Sequence, residues 1–591
     1  MCGIVGCILK DNRKAAPVLL DCAKKLEYRG YDSVGLATYD EKIHVKKDEG
    51  YIESVDEALD LADMPGNYGI AHVRWASVGK PSKLNSHPHL DEEETVAVVH
   101  NGTITNYTQL KNKLIDEGHK FISQTDTEVI SHLMEKFMDE ELDLEHALRK
   151  SIGLMDGSYA IVAISRREPN KIVATRKDSP LVLGQKDGSY YLASDIPAMI
   201  KYTNDIIELN KGEIVVITNE KMEIHDEEDN IIERKPVTID WTPEMVEKNG
   251  YKHYMLKEIY DQPEAVRRTL SQKDKIRKML DDIGEIEKIC IVACGTSYHA
   301  ALSGKYIIES EARIPTNVVL ASEFTHSLNI IDEKTLLIGM SQSGETADTI
   351  KALNCVEGPI KLAIVNVGIS EMTKIVDYTI LTKAGPELSV AATKTYTAQV
   401  TVMYMIAAIL GDNEGLLDKL NKVPEYIEDV LNNHDDIKSM ATAYLYANEL
   451  FYIGKGFSYP TALEAALKMK EISYIHAEAY ASGELKHGPL ALIDNNMPVI
   501  TIIPPGKDKD LTLNSLEEVK ARNSRIVTIC SKNDEIVPDK SEECILIKGD
   551  IDEIIAPLVY IVPLQLLAYY ITLEKGYNPD RPRNLAKTVT V

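Results

Sequence analysis

The second half of the chain contains an internal repeat. Residues 291–302 and 452–463 share the pattern Gly-x-Ser-Tyr-x-x-Ala-Leu. In each copy an apolar run leads through the glycine into a helical pattern, which is typical of a strand, turn and helix in an open parallel sheet. The repeat therefore predicts two similar doubly wound α/β domains, which we place at residues 280–425 and 445–580.

The turns of the first copy carry groups that bind phosphate. Thr296 and Ser297 stand where its helix is predicted to begin, and backbone N–H groups at a helix N-terminus favour an anion. A neighbouring apolar strand runs into a second hydroxyl-rich turn, which contains Ser341, Gln342, Ser343 and Thr346. Helix capping is the plainer explanation of such serines and threonines. Two such turns at neighbouring strand ends, where open parallel sheets bind ligands, favour a site for a phosphate monoester.

Composition narrows the kinds of partner. The 591 residues suggest about four folded units of roughly 150 residues each. With 66 basic and 92 acidic residues the net charge is −26, which argues against nucleic acid or an anionic membrane as a partner and favours small molecules. The eight cysteines form no CxxC pair, and the histidines show no HExxH spacing. We therefore expect reduced thiols, a cytoplasmic location, and neither a metal ion nor an organic cofactor.

Two further segments bear on the organisation of the chain. Residues 221–250 are charged, contain Pro236 and Pro243 and have no sustained apolar period, which predicts a linker between the front and back halves. Residues 554–573 carry no formal charge over about the length of a bilayer-spanning helix. Their prolines, glutamine and tyrosines favour instead a buried helix near the end of an α/β domain.

The start of the chain supplies a candidate nucleophile. Loss of Met1 would leave Cys2 with both a thiol and a free α-amine, whose pKa of about 7.7–8 suits it to accept the thiol proton. An ordinary beginning of the first strand explains Cys2 by itself equally well. Three downstream segments favour a catalytic role for Cys2. Arg74 is suited to bind a free carboxylate, and Asp126 is suited to bind an ammonium. His100-Asn101-Gly102 offers the two types of hydrogen-bond donor that an oxyanion needs. Together they indicate hydrolysis of the side-chain amide of glutamine.

With these segments, residues 2–220 resemble the N-terminal-nucleophile glutaminase domain of the class II amidotransferases, an αββα sandwich. The resemblance implies that Cys2 attacks the glutamine amide and that ammonia is released. It also implies an oxyanion hole at Asn101 and Gly102, and contacts to glutamine from Arg74, Trp75, Ser77 and Asp126. The sequence departs from the family at two positions, because Ser77 stands where threonine is usual and Val78 where histidine is usual.

The back half resembles the paired sugar isomerase (SIS) domains that bind phosphosugars. Over the whole chain, the pairing of the two halves is similar to the isomerising glutamine:fructose-6-phosphate amidotransferase family. That resemblance implies that ammonia from glutamine is passed to fructose 6-phosphate and that glucosamine 6-phosphate is formed without a cofactor, as the first step of hexosamine biosynthesis. It also implies a sugar contact at Val390, while Ala392 stands where serine is usual.

Three groups of the back half fit such a reaction. Lys468 and Glu471 lie three positions apart on a helix predicted for residues 462–479, although a surface ion pair would look the same. His487 follows in a glycine-flanked segment, where an imidazole can exchange protons near neutral pH. The tail at residues 581–591 is short, and it either inserts Lys587 into a pocket or leaves it free in solvent.

The family resemblance assigns roles to these groups. It implies a Schiff base between Lys587 and the open-chain ketose, transfer of a proton between C1 and C2 by Glu471, ring opening by His487, and assistance by Lys468. His487 would come from a second subunit, which implies a homodimer or a larger homo-oligomer. The tail and Trp75 would gate an internal ammonia passage.

Two other functions stay open at this point. The paired sugar domains could sense a phosphosugar and regulate the glutaminase without transforming the sugar. Alternatively, the back half could deaminate or deglycate an amino-sugar phosphate. Lys587, Glu471 and His487 argue against a sensor, which needs none of them, and Cys2 argues against a degradative enzyme, which has no use for glutamine.

Overall fold

The computed structural model describes residues 2–11 and 13–587. These residues divide into two compact units, the first ending at Glu247 and the second beginning at Lys248. The predictions that concern Met1 and residues 588–591 lie outside the described residues.

Within residues 2–11 and 13–247, the first unit contains two antiparallel sheets and five α-helices. Its strands are β1 (Gly3–Ile8), β2 (Ser33–Asp40), β3 (Lys42–Glu49), β4 (Tyr68–Arg74), β5 (His89–Leu90), β6 (Val96–Ile104), β7 (Gly157–Ser165), β8 (Lys171–Lys177), β9 (Val182–Lys186), β10 (Ser189–Ala193), β11 (Asp205–Glu208), β12 (Ile214–Thr218), β13 (Met222–His225), β14 (Ile231–Ile232) and β15 (Val237–Thr238). Its α-helices are α1 (Ala16–Lys24), α2 (Ile52–Leu59), α3 (Tyr107–Asp116), α4 (Glu128–Asp139) and α5 (Leu144–Ile152).

Side-chain alternation explains how these elements form layers. One sheet has the order β15-β11-β9-β10-β1-β4-β2-β3, and the other has the order β14-β13-β12-β8-β7-β6-β5. In β6, Ala97 and Val99 point into the core between the sheets, whereas Val96 and Val98 pack with the apolar side chains of α4 and α5. Helix α1 packs against β1 and β4 of the other sheet. The predicted αββα sandwich is confirmed.

Part of the segment predicted as a linker is folded. Strands β13, β14 and β15 lie within residues 221–250 and extend the two sheets by main-chain pairing, which needs no long apolar period. A short 3₁₀ helix at Pro243–Val246 follows them. The domain boundaries proposed from the sequence stay predictions.

The second unit contains two parallel five-stranded sheets and thirteen α-helices within the described part of the chain. The strands are β16 (Lys288–Ala293), β17 (Thr316–Leu320), β18 (Thr335–Met340), β19 (Ile360–Val365), β20 (Tyr378–Leu381), β21 (Glu449–Gly454), β22 (His476–Ala481), β23 (Val499–Ile503), β24 (Ile526–Ser531) and β25 (Glu543–Ile547). The helices are α6 (Tyr254–Tyr260), α7 (Gln262–Leu270), α8 (Lys273–Ile283), α9 (Gly295–Glu311), α10 (Ala347–Asn354), α11 (Glu371–Lys374), α12 (Lys394–Leu410), α13 (Glu414–Asn432), α14 (Asp435–Ala441), α15 (Ser458–Ser473), α16 (Lys509–Lys520), α17 (Val537–Lys540) and α18 (Ala556–Glu574).

The two parallel sheets have the same strand order. The first is β17-β16-β18-β19-β20 and the second is β22-β21-β23-β24-β25. In each sheet the order reverses beside the strand that comes first in the chain, β16 or β21, and open parallel sheets bind ligands at such a reversal. The repeated glycine turn leads from that strand into α9 in one copy and into α15 in the other. The sequence repeat thus corresponds to two equivalent doubly wound domains, as predicted.

Helix α15 is shorter than the sequence predicted. It was expected over residues 462–479, but it ends at Ser473 because Tyr474 adopts a left-handed conformation with φ of 61°. The residues that follow are required for the edge strand β22. The prediction of a helix to residue 479 was therefore wrong at its C-terminal end.

The uncharged segment at residues 554–573 lies in α18. Within the described residues this is the one helix long and apolar enough to cross a membrane, and 89% of its apolar window is buried inside the protein. Its apolar side chains pack in the large core of the second unit.

Candidate active sites

Cys2 lies immediately before β1 in the first unit, against the end of β4. The N–H of Trp75 donates a hydrogen bond to Cys2 Sγ at 3.2 Å, and Sγ is 3.4 Å from the carbonyl oxygen of the same residue. Burial raises the pKa of the Cys2 thiol, and the Trp75 N–H together with the Arg74 and Arg29 cations acts in the opposite direction. A buried thiol with a raised pKa needs a nearby base to become a nucleophile.

Asn101 and Gly102, the two predicted oxyanion residues, lie beside Cys2 on β6. The amide nitrogen of Asn101 donates to the carbonyl oxygen of Cys2 at 3.0 Å and to Ser194 Oγ at 2.8 Å. Its amide oxygen accepts from His72 Nε2 at 3.0 Å, so the orientation of the amide is fixed. Gly102 has φ of 126°, and a Cβ there would lie 2.1 Å from a carbonyl oxygen of β7. The close approach of two strands therefore requires glycine at this position.

Arg74 and Asp126, which the sequence assigns to glutamine, are both buried near Cys2. Arg74 Nη2 donates to the carbonyl oxygens of Val78 at 2.5 Å and Gly79 at 2.9 Å. Its Nη1 is buried and has no hydrogen-bond partner among the described residues. Asp126 accepts a hydrogen bond from the Ile104 N–H at 2.8 Å. An unpartnered guanidinium nitrogen is suited to a substrate carboxylate.

The segment after Arg74 contains the two residues that depart from the family pattern. Val78 holds Arg74 through its carbonyl oxygen, a contact that does not depend on the side chain. Ser77 is exposed. Trp75 packs edge-on against Tyr31 with ring centroids 5.4 Å apart. The structure thus brings Trp75, Asn101 and Arg74 to Cys2, whereas the Ser77 side chain makes no hydrogen bond within the described part of the chain.

A cavity of about 340 Å³ lies at the carboxyl ends of β16 and β18 in the second unit. Its lining includes every residue predicted to hold the phosphate, namely Thr296, Ser297, Ser341, Gln342, Ser343 and Thr346. Ser341 Oγ lies 2.8 Å from Thr346 Oγ1 and accepts from the Gly344 N–H at 3.1 Å, so the turn is held in shape by its own hydroxyls. Val390 and Ala392 also line this cavity.

Lys587 reaches the same cavity from the tail. Its ammonium forms an ion pair with the carboxylate of Glu387, and only 6% of the Lys587 side chain is exposed. The Glu387 carboxylate also accepts hydrogen bonds from the Thr393 N–H at 2.9 Å and from Thr395 Oγ1 at 2.7 Å. Burial alone would raise the pKa of Glu387, but the Lys587 ammonium outweighs burial and lowers it. The alternative of a lysine free in solvent does not hold in this structure.

Lys468 and Glu471 lie on α15 and are not a surface pair. Lys468 Nζ is 2.5 Å from Glu471 Oε2 and 3.4 Å from Glu464 Oε1, and it donates to Thr296 Oγ1 at 3.1 Å. Lys468 is fully buried, and burial disfavours its charge, but the two carboxylates outweigh burial and raise its pKa. Burial likewise raises the pKa of Glu471, which lines the cavity. A carboxyl group with a raised pKa is suited to exchange protons with a substrate near neutral pH.

His487 is the one predicted catalytic residue of the second unit that the structure does not bring to the others. It is exposed at the end of a 3₁₀ helix, Ser482–His487, and it does not line the cavity. Within the described residues it makes no hydrogen bond or ion pair with Lys468, Glu471 or Lys587.

Sequence reasoning missed several buried partners of the site residues. Glu464 is completely buried and accepts from Thr296 Oγ1 at 3.0 Å, with His299 Nδ1 2.8 Å from its other oxygen. Its spacing of four from Lys468 was a visible signal. Glu387 stands three residues before Val390 and gave no pattern of its own. The two residues that fix the Asn101 amide were missed because they are distant in sequence: His72 lies on β4, and Ser194 directly follows β10.

Two families of protein domains match this chain, and full-length relatives match all of it. The SIS domain family matches residues 283–409 and 444–575, and the glutamine amidotransferase domain family matches residues 72–201. The glutamine–fructose-6-phosphate aminotransferase (isomerizing) of Methanothermobacter thermautotrophicus is 53% identical to this chain over 592 aligned positions, which cover 100% of both chains. The chain belongs to this family.

Other members of the isomerising glutamine–fructose-6-phosphate aminotransferase family agree with this assignment. The enzyme of Thermococcus kodakarensis is 45% identical, again over 100% of both chains. The solved C-terminal domain of glucosamine-fructose-6-phosphate aminotransferase from Francisella tularensis is 37% identical with a TM-score of 0.53, and the match covers 57% of this chain and 100% of that domain. The family, the enzyme class and the fold class predicted from the sequence are therefore confirmed.

Proposed function

We propose that this chain is a two-site enzyme in which the first unit releases ammonia and the second unit uses it. As a member of its family, it transfers the amide nitrogen of glutamine to fructose 6-phosphate and isomerises the product to glucosamine 6-phosphate. The observation that carries the proposal is the presence of Lys587 and Glu471 in the same cavity as the two hydroxyl-rich turns. A protein that only senses a phosphosugar carries out no reaction at the sugar carbons, so it needs neither an amine nor a carboxyl group beside them.

In the first unit, Cys2 Sγ attacks the side-chain amide carbon of glutamine. The base is the α-amine that removal of Met1 would free, since the thiol pKa is raised by burial. The Asn101 amide and the Gly102 N–H stabilise the oxyanion of the tetrahedral intermediate. Arg74 Nη1 binds the substrate carboxylate, and Asp126 binds its ammonium. Ammonia leaves, and water then hydrolyses the thioester to glutamate.

In the second unit, the two hydroxyl-rich turns hold the phosphate of the open-chain sugar. The amine of Lys587 attacks C2, water leaves, and an imine forms. Ammonia then displaces the lysine at C2. Glu471 takes a proton from C1 of the resulting C2 imine and returns it to C2. The C1 hydroxyl loses its proton and the nitrogen gains one, so that C1 becomes the aldehyde and C2 carries the amine. Lys468 keeps Glu471 in place, and Glu387 keeps Lys587 directed into the cavity.

A coupled assay tests this function. Purified chain supplied with fructose 6-phosphate and glutamine labelled with ¹⁵N at the amide is expected to form labelled glucosamine 6-phosphate in step with glutamate. Product analysis by mass spectrometry measures both. Glutamate without amino sugar would favour the sensor, and ammonia release from glucosamine 6-phosphate without any synthesis would favour the degradative function.

We further propose that His487 completes the sugar site of a second copy of the chain, so that the enzyme is at least a homodimer. Ring opening of the sugar needs a proton-transfer group, and no histidine of the described residues lines the cavity. His487 is exposed and therefore available to a partner. We also propose a cytoplasmic location, which the eight free cysteines support.

Complementation between two inactive variants tests the shared site. His487→Ala and Lys587→Arg are each expected to lose sugar transformation as pure proteins. In a mixed dimer one site combines the intact Lys587 of one subunit with the intact His487 of the other. Co-expression in equal amounts should thus restore about a quarter of the wild-type activity. If no activity returned, His487 would act within its own chain or not at all.

A further inference from the structure

Three side chains of the kinds that bind metal ions converge in the first unit and take part in neither active site. His132 and Glu135 lie three positions apart on α4, and His119 lies in the loop that follows α3. His119 Nδ1 is 3.2 Å from His132 Nδ1 and 3.4 Å from Glu135 Oε2, and His132 Nδ1 is 3.6 Å from the same oxygen. The three atoms thus form a nearly equilateral triangle.

The size of this triangle fits one face of a tetrahedral metal site. Zinc binds imidazole nitrogen and carboxylate oxygen at about 2.0–2.2 Å, which places neighbouring ligand atoms about 3.3–3.5 Å apart. A hydrogen bond accounts for the 3.2 Å between the two Nδ1 atoms, but it accounts less well for the contacts with Glu135, because N–H···O bonds have donor–acceptor distances of about 2.7–3.2 Å. Both distances to the Glu135 oxygen exceed that range.

The charges around the triangle also favour a cation. Asp91, Glu128 and Glu135 are all more than nine-tenths buried. Among residues 2–11 and 13–587 no lysine or arginine pairs with Glu135. Glu128 Oε1 lies 3.9 Å from His132 Nε2, on the side of the ring away from the triangle; this distance is too long for a hydrogen bond, but it places a second buried carboxylate beside the ring.

A second cluster, with one histidine and two carboxylates, includes an arginine that neutralises the carboxylates. Glu145, His225 and Asp229 also converge in the first unit. There, however, Arg149 Nη2 donates to Glu145 Oε1 at 3.3 Å and to Asp229 Oδ1 at 3.0 Å. The guanidinium supplies the cation that the carboxylates need. In the His119 cluster no lysine or arginine plays this part within the described residues. Burial disfavours a charged His132, but Glu128 and Glu135 outweigh burial and raise its pKa to about 9, so a metal ion would take the place of the His132 proton.

We propose that His119, His132 and Glu135 bind one divalent metal ion of the zinc class, with water as the fourth ligand. The ligand set of two histidines and one carboxylate suits zinc. The ion would join the loop after α3 to α4, and the segment between its ligands contains Asp126, the residue assigned to the glutamine ammonium. The site is therefore structural, and it braces the loop of the glutaminase half that carries a substrate ligand.

Cobalt titration tests the site through a spectrum instead of an activity. The probe is Co²⁺, added to the EDTA-treated full-length Cys2→Ala protein, so that the thiol and amine at Cys2 do not bind the metal. One equivalent of Co²⁺ should give the intense visible bands of tetrahedral cobalt, and one equivalent of Zn²⁺ should remove them. His119→Ala and Glu135→Gln should each weaken binding at least about a hundredfold, and Glu128→Gln about tenfold to a hundredfold.

The second cluster supplies the matched control. His225→Ala in the same background should bind Co²⁺ as tightly as its parent. His119 lies on a loop with 17% of its side chain exposed, so its replacement is compatible with folding, which circular dichroism can verify. The proposal would be overturned by absence of tetrahedral bands, by unchanged affinity in both His119→Ala and Glu135→Gln, or by loss of the bands in His225→Ala.

Discussion

Cys2→Ala is expected to abolish glutamine hydrolysis and glutamine-dependent synthesis while the second unit still converts phosphosugar. The thiol is the only nucleophile assigned to the amide, and a methyl group cannot form the thioester. Removal of a covalent nucleophile commonly costs about 10⁴-fold or more in kcat. Glutamate release measures the first activity. Interconversion of fructose 6-phosphate and glucose 6-phosphate, followed without glutamine, measures the second.

The control for this variant is Cys355→Ala. Cys355 is a free, exposed cysteine of the second unit, so the change removes a thiol without touching either site. It should leave both activities as they are. An equal loss of glutaminase and sugar conversion in Cys2→Ala would contradict the assignment of separate sites to the two units.

Lys587→Arg is expected to stop sugar transformation and to spare glutamine hydrolysis. The guanidinium keeps the positive charge that pairs with Glu387, so the tail retains its anchor. It stays protonated in proteins and forms no imine with a ketose, which removes the proposed covalent step. We expect a loss of about 10⁴-fold or more in amino-sugar formation. Glucosamine 6-phosphate and glutamate, measured in one reaction, separate the two effects.

Chemical trapping sharpens the same prediction. Borohydride reduction in the presence of fructose 6-phosphate should attach the sugar to Lys587 in the wild-type protein, and peptide mass spectrometry should find no such adduct in Lys587→Arg. Lys548→Arg, at an exposed lysine, is the control and should be trapped as the wild type is. An adduct on Lys468, or normal synthesis by Lys587→Arg, would refute the proposed role.

Much of the fold could be predicted because its signals are local. The glycine turns at Gly295 and Gly456 each join a strand to a helix within a few residues, so the repeat alone indicated two equivalent domains. The hydroxyl-rich turns that line the cavity were visible for the same reason, since Ser341 and Thr346 belong to one continuous segment. Residues close in sequence can be interpreted together without knowledge of the tertiary structure.

The features that were missed depend on contacts between distant segments. Glu387 and Lys587 are 200 positions apart, and nothing near Glu387 indicates that a tail lysine will reach it. His72 and Asn101 meet because two different sheets pack face to face. The end of α15 was misplaced because tyrosine is not a residue that ordinarily ends a helix. The left-handed conformation of Tyr474 is instead required by the strand β22 that follows it.

The sugar cavity takes its two kinds of residue from different copies of the repeat. The hydroxyls proposed to bind phosphate follow β16 and β18 of the first copy, whereas Glu471 and its ion-pair partner Lys468 belong to α15 of the second. The second copy has Phe457 where the first has Thr296, so the duplicated turn is no longer a duplicate site. The first copy supplies the hydroxyl-rich turns, and the second supplies the carboxyl group and the lysine on α15. With the proposed roles, neither copy can be deleted or replaced by the other without loss of the sugar reaction. The duplicated domains can therefore no longer return to a single-domain enzyme.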